Sequence, residues 1–428
     1  MAFNHPFVFA FLCGVVALLS LDPLRPLRRL IFLLASLMFV GMFYFAANGD
    51  AKANPGWLVF LAAFIAVHYL VVQAMLRMPT GPVRSLVYYA WFLGTIMTFL
   101  IVKQYTWLTA WLLPGADQLL RQVNLVLSRG NTALPVVTIG LSFLIFRQIH
   151  LAIEVRDGIL KRCGLLDYLG YMVSFWTFSA GPIQRFEPFC DQFHRLTSPG
   201  YGASVHDVLL GLNRVMFGYL KMFVVSDWFG KMATPATFTR HPDTAHLAMF
   251  LLAYPLFMYV NFTGYCDIVI GIARAVGFEL PENFNRPLLA RNMVDYWNRW
   301  HMTLSQFFRD YMYLPIYTVL RKRTPRTVAV SVTSMLSFFV MGIWHDKTMM
   351  MAVFGLFHGA GVVIVNLYGE LLKKLLTREQ LKRYGQSRAI HVLAVLLCQA
   401  YVITAFLFFA YDWNQLSEVC RCLIYRPS

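Results

Sequence analysis

Charge is scarce in this chain. Asp, Glu, Lys and Arg together make up 14% of its 428 residues, against about a quarter in soluble domains. Acidic residues are the scarcest, with 21 Asp and Glu beside 37 Lys and Arg. So little polar surface excludes an ordinary soluble globule. The 7 cysteines form no CxxC and no Cys/His ligand pattern, which leaves the common zinc sites without ligands. Cys420-x-Cys422 is the closest pair, and its spacing fits no common metal site. There is no P-loop, dinucleotide fingerprint, HExxH helix or GxSxG elbow. Nucleotide hydrolysis, redox chemistry and a covalent serine enzyme therefore have no motif to rest on. Low-complexity linkers, acidic tails and internal repeats are also missing.

Apolar residues fill the chain instead. They account for 58% of it, with 16% aromatics and a mean hydropathy of +0.56. A bilayer core is crossed by about 20 apolar residues of helix. Eleven stretches, from Phe3–Leu21 to Ile390–Phe409 and including Leu134–Ile153 and Tyr168–Phe186, come near that length. The expected architecture is all-α: one integral membrane domain over residues 1–428, with about 10–12 crossing or re-entrant helices. Phe3–Leu21 has no basic leader or small-residue cleavage site, so it is expected to remain as a helix.

The formal net charge of +16 sits in connections such as Arg25–Arg29, Arg321–Arg326 and Lys373–Arg383. In a membrane protein such loops face the cytoplasm beside anionic headgroups, so nucleic acid is not the expected partner. Between Lys103 and Ala133 the run LLPGADQLLRQVNLVLSRGN reads as an amphipathic interfacial helix.

Polar residues gather in four places, and ionisable groups at membrane depth are functional candidates. The densest is Asp295–Pro315, DYWNRWHMTLSQFFRDYMYLP, with Asn298, Arg299, His301, Arg309 and Asp310. If Tyr296–Met312 is one helix, Trp297, Trp300, Leu304, Phe307 and Phe308 share its apolar face. Just before it, GFELPENFNRP cannot be one helix, because Pro281 and Pro287 each remove a donor. A second cluster, Gly342–Gly359, places His345 and Asp346 at a break between two apolar runs, with His358 inside the second. A neutral imidazole can take a hydroxyl proton near pH 7, which makes His345 the first candidate for a general base. The third, SAGPIQRFEPF, carries Arg185 after a Gly-Pro break, and the fourth, VNFTGYCDIVIGIARAVGF, carries Asn261, Tyr265 and Asp267.

Taken in order, these segments resemble the membrane-bound O-acyltransferase family, over a core of about residues 134–367. GLSFLIFRQIHLAIEVRDG (Gly140–Gly158) and FSAGPIQRF (Phe178–Phe186) come first, then Asn261–Pro287, Asp295–Tyr311, GIWHD and FGLFHG. The chain is most similar to the bacterial cell-envelope branch, which holds the teichoic acid D-alanyl transfer proteins and the alginate O-acetyltransferases. The resemblance implies a helical bundle with broken helices around a central tunnel in a bacterial inner membrane, with donor and acceptor entering from opposite faces. The family's near-invariant histidine falls on His345 and the branch's second histidine on His301. Asp346 stands where members commonly have Gly.

The implied reaction is acyl transfer from a cytosolic thioester, on a carrier protein's phosphopantetheine arm or on coenzyme A, with no bound cofactor and no metal. The acceptor is a hydroxyl of a cell-envelope polymer or of an extracytoplasmic partner transferase. D-alanyl transfer is the leading expectation and O-acetylation the alternative. Asn298, Arg299, Arg309, Asp310, Asp346, His358, Asn261 and Arg185 are the expected supporting or tunnel residues. Partners expected alongside are an acidic carrier protein at the cytoplasmic face and membrane lipids. A transporter of a lipid-linked polymer would carry inverted repeats, and a non-catalytic scaffold would have no use for two histidines in wet cavities.

Overall fold

The computed structural model describes residues 6–47, 56–103, 105, 134–233 and 244–424. Every regular element among them is helical. The interfacial helix expected within residues 104–133 lies outside the described residues, as do the side chains of Cys420 and Cys422. Among the described residues seven helices are long and apolar enough to cross a bilayer: Gly56–Arg77, Pro82–Val102, Val205–Met232, Ala245–Ala275, Arg326–His345, Met349–Leu375 and Arg388–Ala410. An eighth span arises if Ala10–Ser20 and Asp22–Met42, which meet at 101°, count as one broken crossing. These spans make the protein a polytopic membrane protein, in keeping with an inner-membrane location.

The count is lower than the apolar runs imply, and one of those runs does not form a full helix. The expected Tyr168–Phe186 span is a helix only to Val173. Arg147 explains the stop: its guanidinium donates to the carbonyls of Tyr171 and Met172, both at 2.8 Å, and also to Thr177 Oγ1. A helix end frees carbonyls, and here a buried arginine takes them.

The chain divides into two compact units. The first comprises Met1–Val215 with Val269–Pro281. Its core is aromatic: the Phe32 ring lies 4.8 Å from Trp176, 5.5 Å from Phe193 and 5.9 Å from Phe278. Edge and stacked contacts of this kind add to plain burial. Arg28, 3% exposed, donates to the carbonyls of Leu196 and Tyr201 and ties the start of the second long helix to the loop at residues 196–201.

The second unit, Met216–Ile268 with Glu282–Ser428, contains the two densest polar clusters. We number its helices α1 (Met293–Trp297), α2 (Met302–Phe308), α3 (Leu314–Arg321), α4 (Arg326–His345), α5 (Met349–Leu375), α6 (Arg378–Gln386) and α7 (Arg388–Ala410). Helices α4 and α5 are pressed together at Gly342 and Gly355. A Cβ on Gly342 would lie 2.2 Å from the Met351 carbonyl oxygen, and one on Gly355 would lie 2.2 Å from that of Phe338. Both obstacles are backbone, so neither can yield cheaply.

Gly355→Ala is therefore expected to lower stability by about 1–3 kcal/mol through overpacking, read as a reduced thermal midpoint of the detergent-solubilised protein. Gly94→Ala is the control. It sits in a helix with nothing within 4 Å of the added methyl, so its midpoint should stay level or rise.

Candidate active site

The segment expected as one helix over Tyr296–Met312 is broken. After α1 the chain makes a turn, α2 starts at Met302, and a π-helical turn covers Arg309–Tyr313. The break falls at His301, whose backbone is left-handed, with φ 44° and ψ 52°. A non-glycine residue pays for this region in strain and stays there only when its surroundings dictate it.

Asn283 dictates it. This side chain is fully buried. Its Oδ1 accepts from Thr303 Oγ1 at 2.6 Å and from the Thr303 N–H at 3.3 Å, and its carbonyl accepts from the Met302 N–H at 2.9 Å. Its Nδ2 donates to Cys266 Sγ at 3.5 Å. A second bond, Asn285 N–H to the Arg299 carbonyl at 2.9 Å, aligns the Pro281–Pro287 segment with the break. The two prolines keep that segment out of a helix, which leaves its polar groups free to hold another chain segment.

The charges at Asp295–Arg299 serve the same end. Asp295 accepts from Arg299 Nε at 2.7 Å and from the Arg291 N–H at 3.0 Å. Asn292 caps α1 by accepting from the Asp295 N–H at 2.9 Å. Arg309 pairs with Asp310 at 3.0 Å.

His301 itself is 4% exposed. Its ring stands edge-on to Phe262 at 4.8 Å, and its Nδ1 is buried with no hydrogen-bond partner among the described residues. The residue lies outside the spanning helices. Burial first, and the neighbouring His345 second, hold its protonation below the ordinary imidazole range. The ring is therefore neutral near pH 7, with one N–H to donate and one nitrogen to accept.

His345 ends α4, half-buried, with its ring 4.7 Å from Trp344, 6.0 Å from Phe409 and 6.4 Å from Phe354. Phe354 lies 4.5 Å from His358, which is 5.1 Å from Trp297 and 6.4 Å from Tyr296. Tyr296 stacks on Trp300 at 5.7 Å, and Trp300 meets Phe284, then Phe262, then His301. A continuous run of rings thus connects the three imidazoles. Beside it lies a cavity of about 330 Å³, lined by Trp297, Asn298, Met302, Gln306, Ser337 and Met341 among others. Met302, the residue after His301, and Met341, one helical turn before His345, both belong to its lining, while the two histidines themselves do not. Among the described residues the Ser337 hydroxyl, 4% exposed, has no hydrogen-bond partner, and neither does the buried Trp297 Nε1.

The other expected residues divide. Asn298 and Arg309 line this cavity, while Arg299 is engaged by Asp295. His358 is 2% exposed within the rings. Asn261, next to Phe262, donates to Ser226 Oγ at 3.0 Å, and Asp267 pairs with Lys221 at 2.5 Å. Asp346 is exposed and accepts from the N–H of Lys347. Arg185 belongs to the first unit, where it precedes Phe186, whose N–H donates to His150 Nε2 at 2.9 Å. Among the described residues no three His, Cys, Asp or Glu side chains cluster as metal ligands. Asn283, Thr303, Phe262 and Ser337 go unnoticed in a sequence reading. Only Asn283 carries a signal there, as a polar residue framed by two prolines.

The sequence profile of the membrane-bound O-acyltransferase family matches residues 87–408. A teichoic acid D-alanyltransferase of Streptococcus thermophilus is 29% identical over 293 residues, 65% of this chain and 69% of the relative. That of Bacillus subtilis is 30% identical over 280 residues, covering 64% and 68%. A probable alginate O-acetylase AlgI of Azotobacter vinelandii is 28% identical over 369 residues, covering 84% and 68%.

Replacing Asn283 with Leu strands the Thr303 donors in a buried position, at an expected cost of about 1–3 kcal/mol. The thermal midpoint should fall accordingly, while Asn285→Ala, which keeps its backbone bond to Arg299, should change it little. Equal midpoints for Asn283→Leu and the unaltered protein would refute the clamp.

Proposed function

Because the chain belongs to the membrane-bound O-acyltransferase family, and is thus an acyltransferase acting on extracytoplasmic acceptors, we propose that it joins a cytosolic acyl thioester to an acceptor hydroxyl at His345 and His301. His345 takes the hydroxyl proton as the oxygen attacks the thioester carbonyl. The neutral His301 donates its N–H to the oxyanion that develops. When the tetrahedral intermediate collapses, the C–S bond breaks and the imidazolium of His345 returns the proton to the leaving thiolate. Proton and charge balance without a cofactor.

The observation that carries this reading is the buried Nδ1 of His301 at a strained break, with no hydrogen-bond partner among the described residues, on the same run of rings as His345. A buried polar atom without a partner is costly, and a substrate oxygen or hydroxyl would satisfy it. The cavity lined by Trp297, Met302 and Met341 suits the thioester arm, with Ser337 and Asn298 as hydrogen-bond groups along it. Arg309 and Asp310 brace the π-helical turn beside that arm, and His358 backs His345 across Phe354.

For the acyl group we favour D-alanine, on the strength of two D-alanyltransferases at 29–30% identity. The donor is then a carrier protein, and the basic connections Arg321–Arg326 and Lys373–Arg383 suit an acidic one. The acceptor is a cell-envelope polymer or a partner protein that relays to it. A second reading, O-acetylation, has support in the alignment to the alginate O-acetylase, which spans 84% of this chain.

Membranes given labelled D-alanyl carrier or labelled acetyl donor separate the two, since one of them should label the acceptor. With the active donor, His345→Ala should lose about 10²–10⁴ in rate, the usual share of general-base help, with an unchanged elution profile. Near-normal transfer by His345→Ala would end the proposal.

A further inference from the structure

A larger cavity in the second unit, about 800 Å³, lies among α1, α5, α6 and α7. Its long walls come from α5 between Gly361 and Leu372 and from α7 between Ile390 and Tyr401. Both helices are spans, so the groove borders the bilayer and its natural occupant comes from there. Ile364, Leu393 and Leu397 are 57%, 56% and 62% exposed along these walls. The eleven-residue step from Gly361 to Leu372 corresponds to about 16 Å of helix, about the depth of one leaflet's hydrocarbon.

The groove is polar as well. Arg291, Tyr368, Tyr384 and His391 line it, and the two tyrosine hydroxyls meet at 3.1 Å. Among the described residues the Arg291 guanidinium and the His391 ring have no hydrogen bond or ion pair; the carboxylate in the lining, Asp295, feels the charge of Arg291 but is bonded to Arg299. Space for a headgroup is present at Gly369 and Gly385, where nothing lies within 4 Å of an added Cβ. The α5–α7 connection around this end carries six Lys and Arg against two Glu between Glu370 and His391. By the positive-inside bias that end faces the cytoplasm, where anionic lipids are concentrated.

We propose that this groove is a binding site for one anionic glycerophospholipid of the cytoplasmic leaflet. Its phosphate lies against Arg291, His391 and the Tyr368–Tyr384 pair, and an acyl chain runs between α5 and α7. Val294 and Asn298 line both this groove and the cavity beside His301, so the bound lipid closes one flank of that cavity. The assignment stands on the groove alone and does not depend on the acyl-transfer reading.

The test uses the full chain in phosphatidylcholine nanodiscs doped with phosphatidylglycerol, followed by counting of the lipids retained on detergent extraction. The unaltered protein should keep about one phosphatidylglycerol per chain and no phosphatidylcholine. The double variant R291Q/H391Q should retain at least tenfold less. Gly369→Leu, which fills the open space without touching the charges, should show the same loss with an unchanged elution profile. Equal retention of both lipids, or retention untouched by R291Q/H391Q and Gly369→Leu, overturns the proposal. So does displacement of phosphatidylglycerol by soluble coenzyme A, which would make the groove a site for a free phosphate ligand.

Discussion

The second unit turns on one side chain. Asn283 has no charge and no exposure, yet it satisfies the Thr303 N–H and hydroxyl while its carbonyl takes the Met302 N–H. These bonds hold His301 in a left-handed backbone that histidine rarely adopts. Without the clamp, the preference of residues 296–308 is a continued helix, as their apolar spacing suggests. A continued helix would turn the His301 ring away from Phe262. Strain at that residue is thus stored locally and compensated by hydrogen bonds from a neighbouring segment.

Around that constraint the membrane imposes a second economy. Ionisable groups at this depth are expensive unless paired. The structure couples Asp295 to Arg299, Asp310 to Arg309 and Asp267 to Lys221. What this leaves is uncharged but polar: the Ser337 hydroxyl and Trp297 Nε1 in the cavity lining, and the buried Nδ1 atoms of His301 and His358 on the run of rings next to it. Such a lining is suited to a neutral reagent that brings its own hydrogen-bond groups, and a thioester arm is one. The close contact at Gly342 and Gly355 fixes α4 on α5, and with it the ring contact from His345 through Phe354 to His358.

Much of this is legible in the chain itself. All-α, polytopic architecture follows from apolar runs and missing charge, and the family follows from several motifs in order. The prolines at 281 and 287 announce non-helical backbone. Three things do not show. The position of the break at His301 depends on Asn283, eighteen residues upstream, and no local propensity encodes it. The end of the helix at Val173 depends on Arg147 reaching its carbonyls, so the apolar stretch to Phe186 looks like a span and is not one. The charges in Asp295–Arg299 stand out by density, but which partners they take, Asp295 with Arg299 and with the Arg291 N–H, does not show. Burial and pairing are tertiary facts.

The central claim is that His301 and His345 act on one substrate in a single step. A double-mutant cycle tests it most directly, with transfer rates measured for His301→Ala, His345→Ala and the combination, each verified as folded. Groups that act as a unit are strongly non-additive, so the double variant should be within a few-fold of the slower single. Rate losses that multiply would mean the two imidazoles work independently, and would contradict the account.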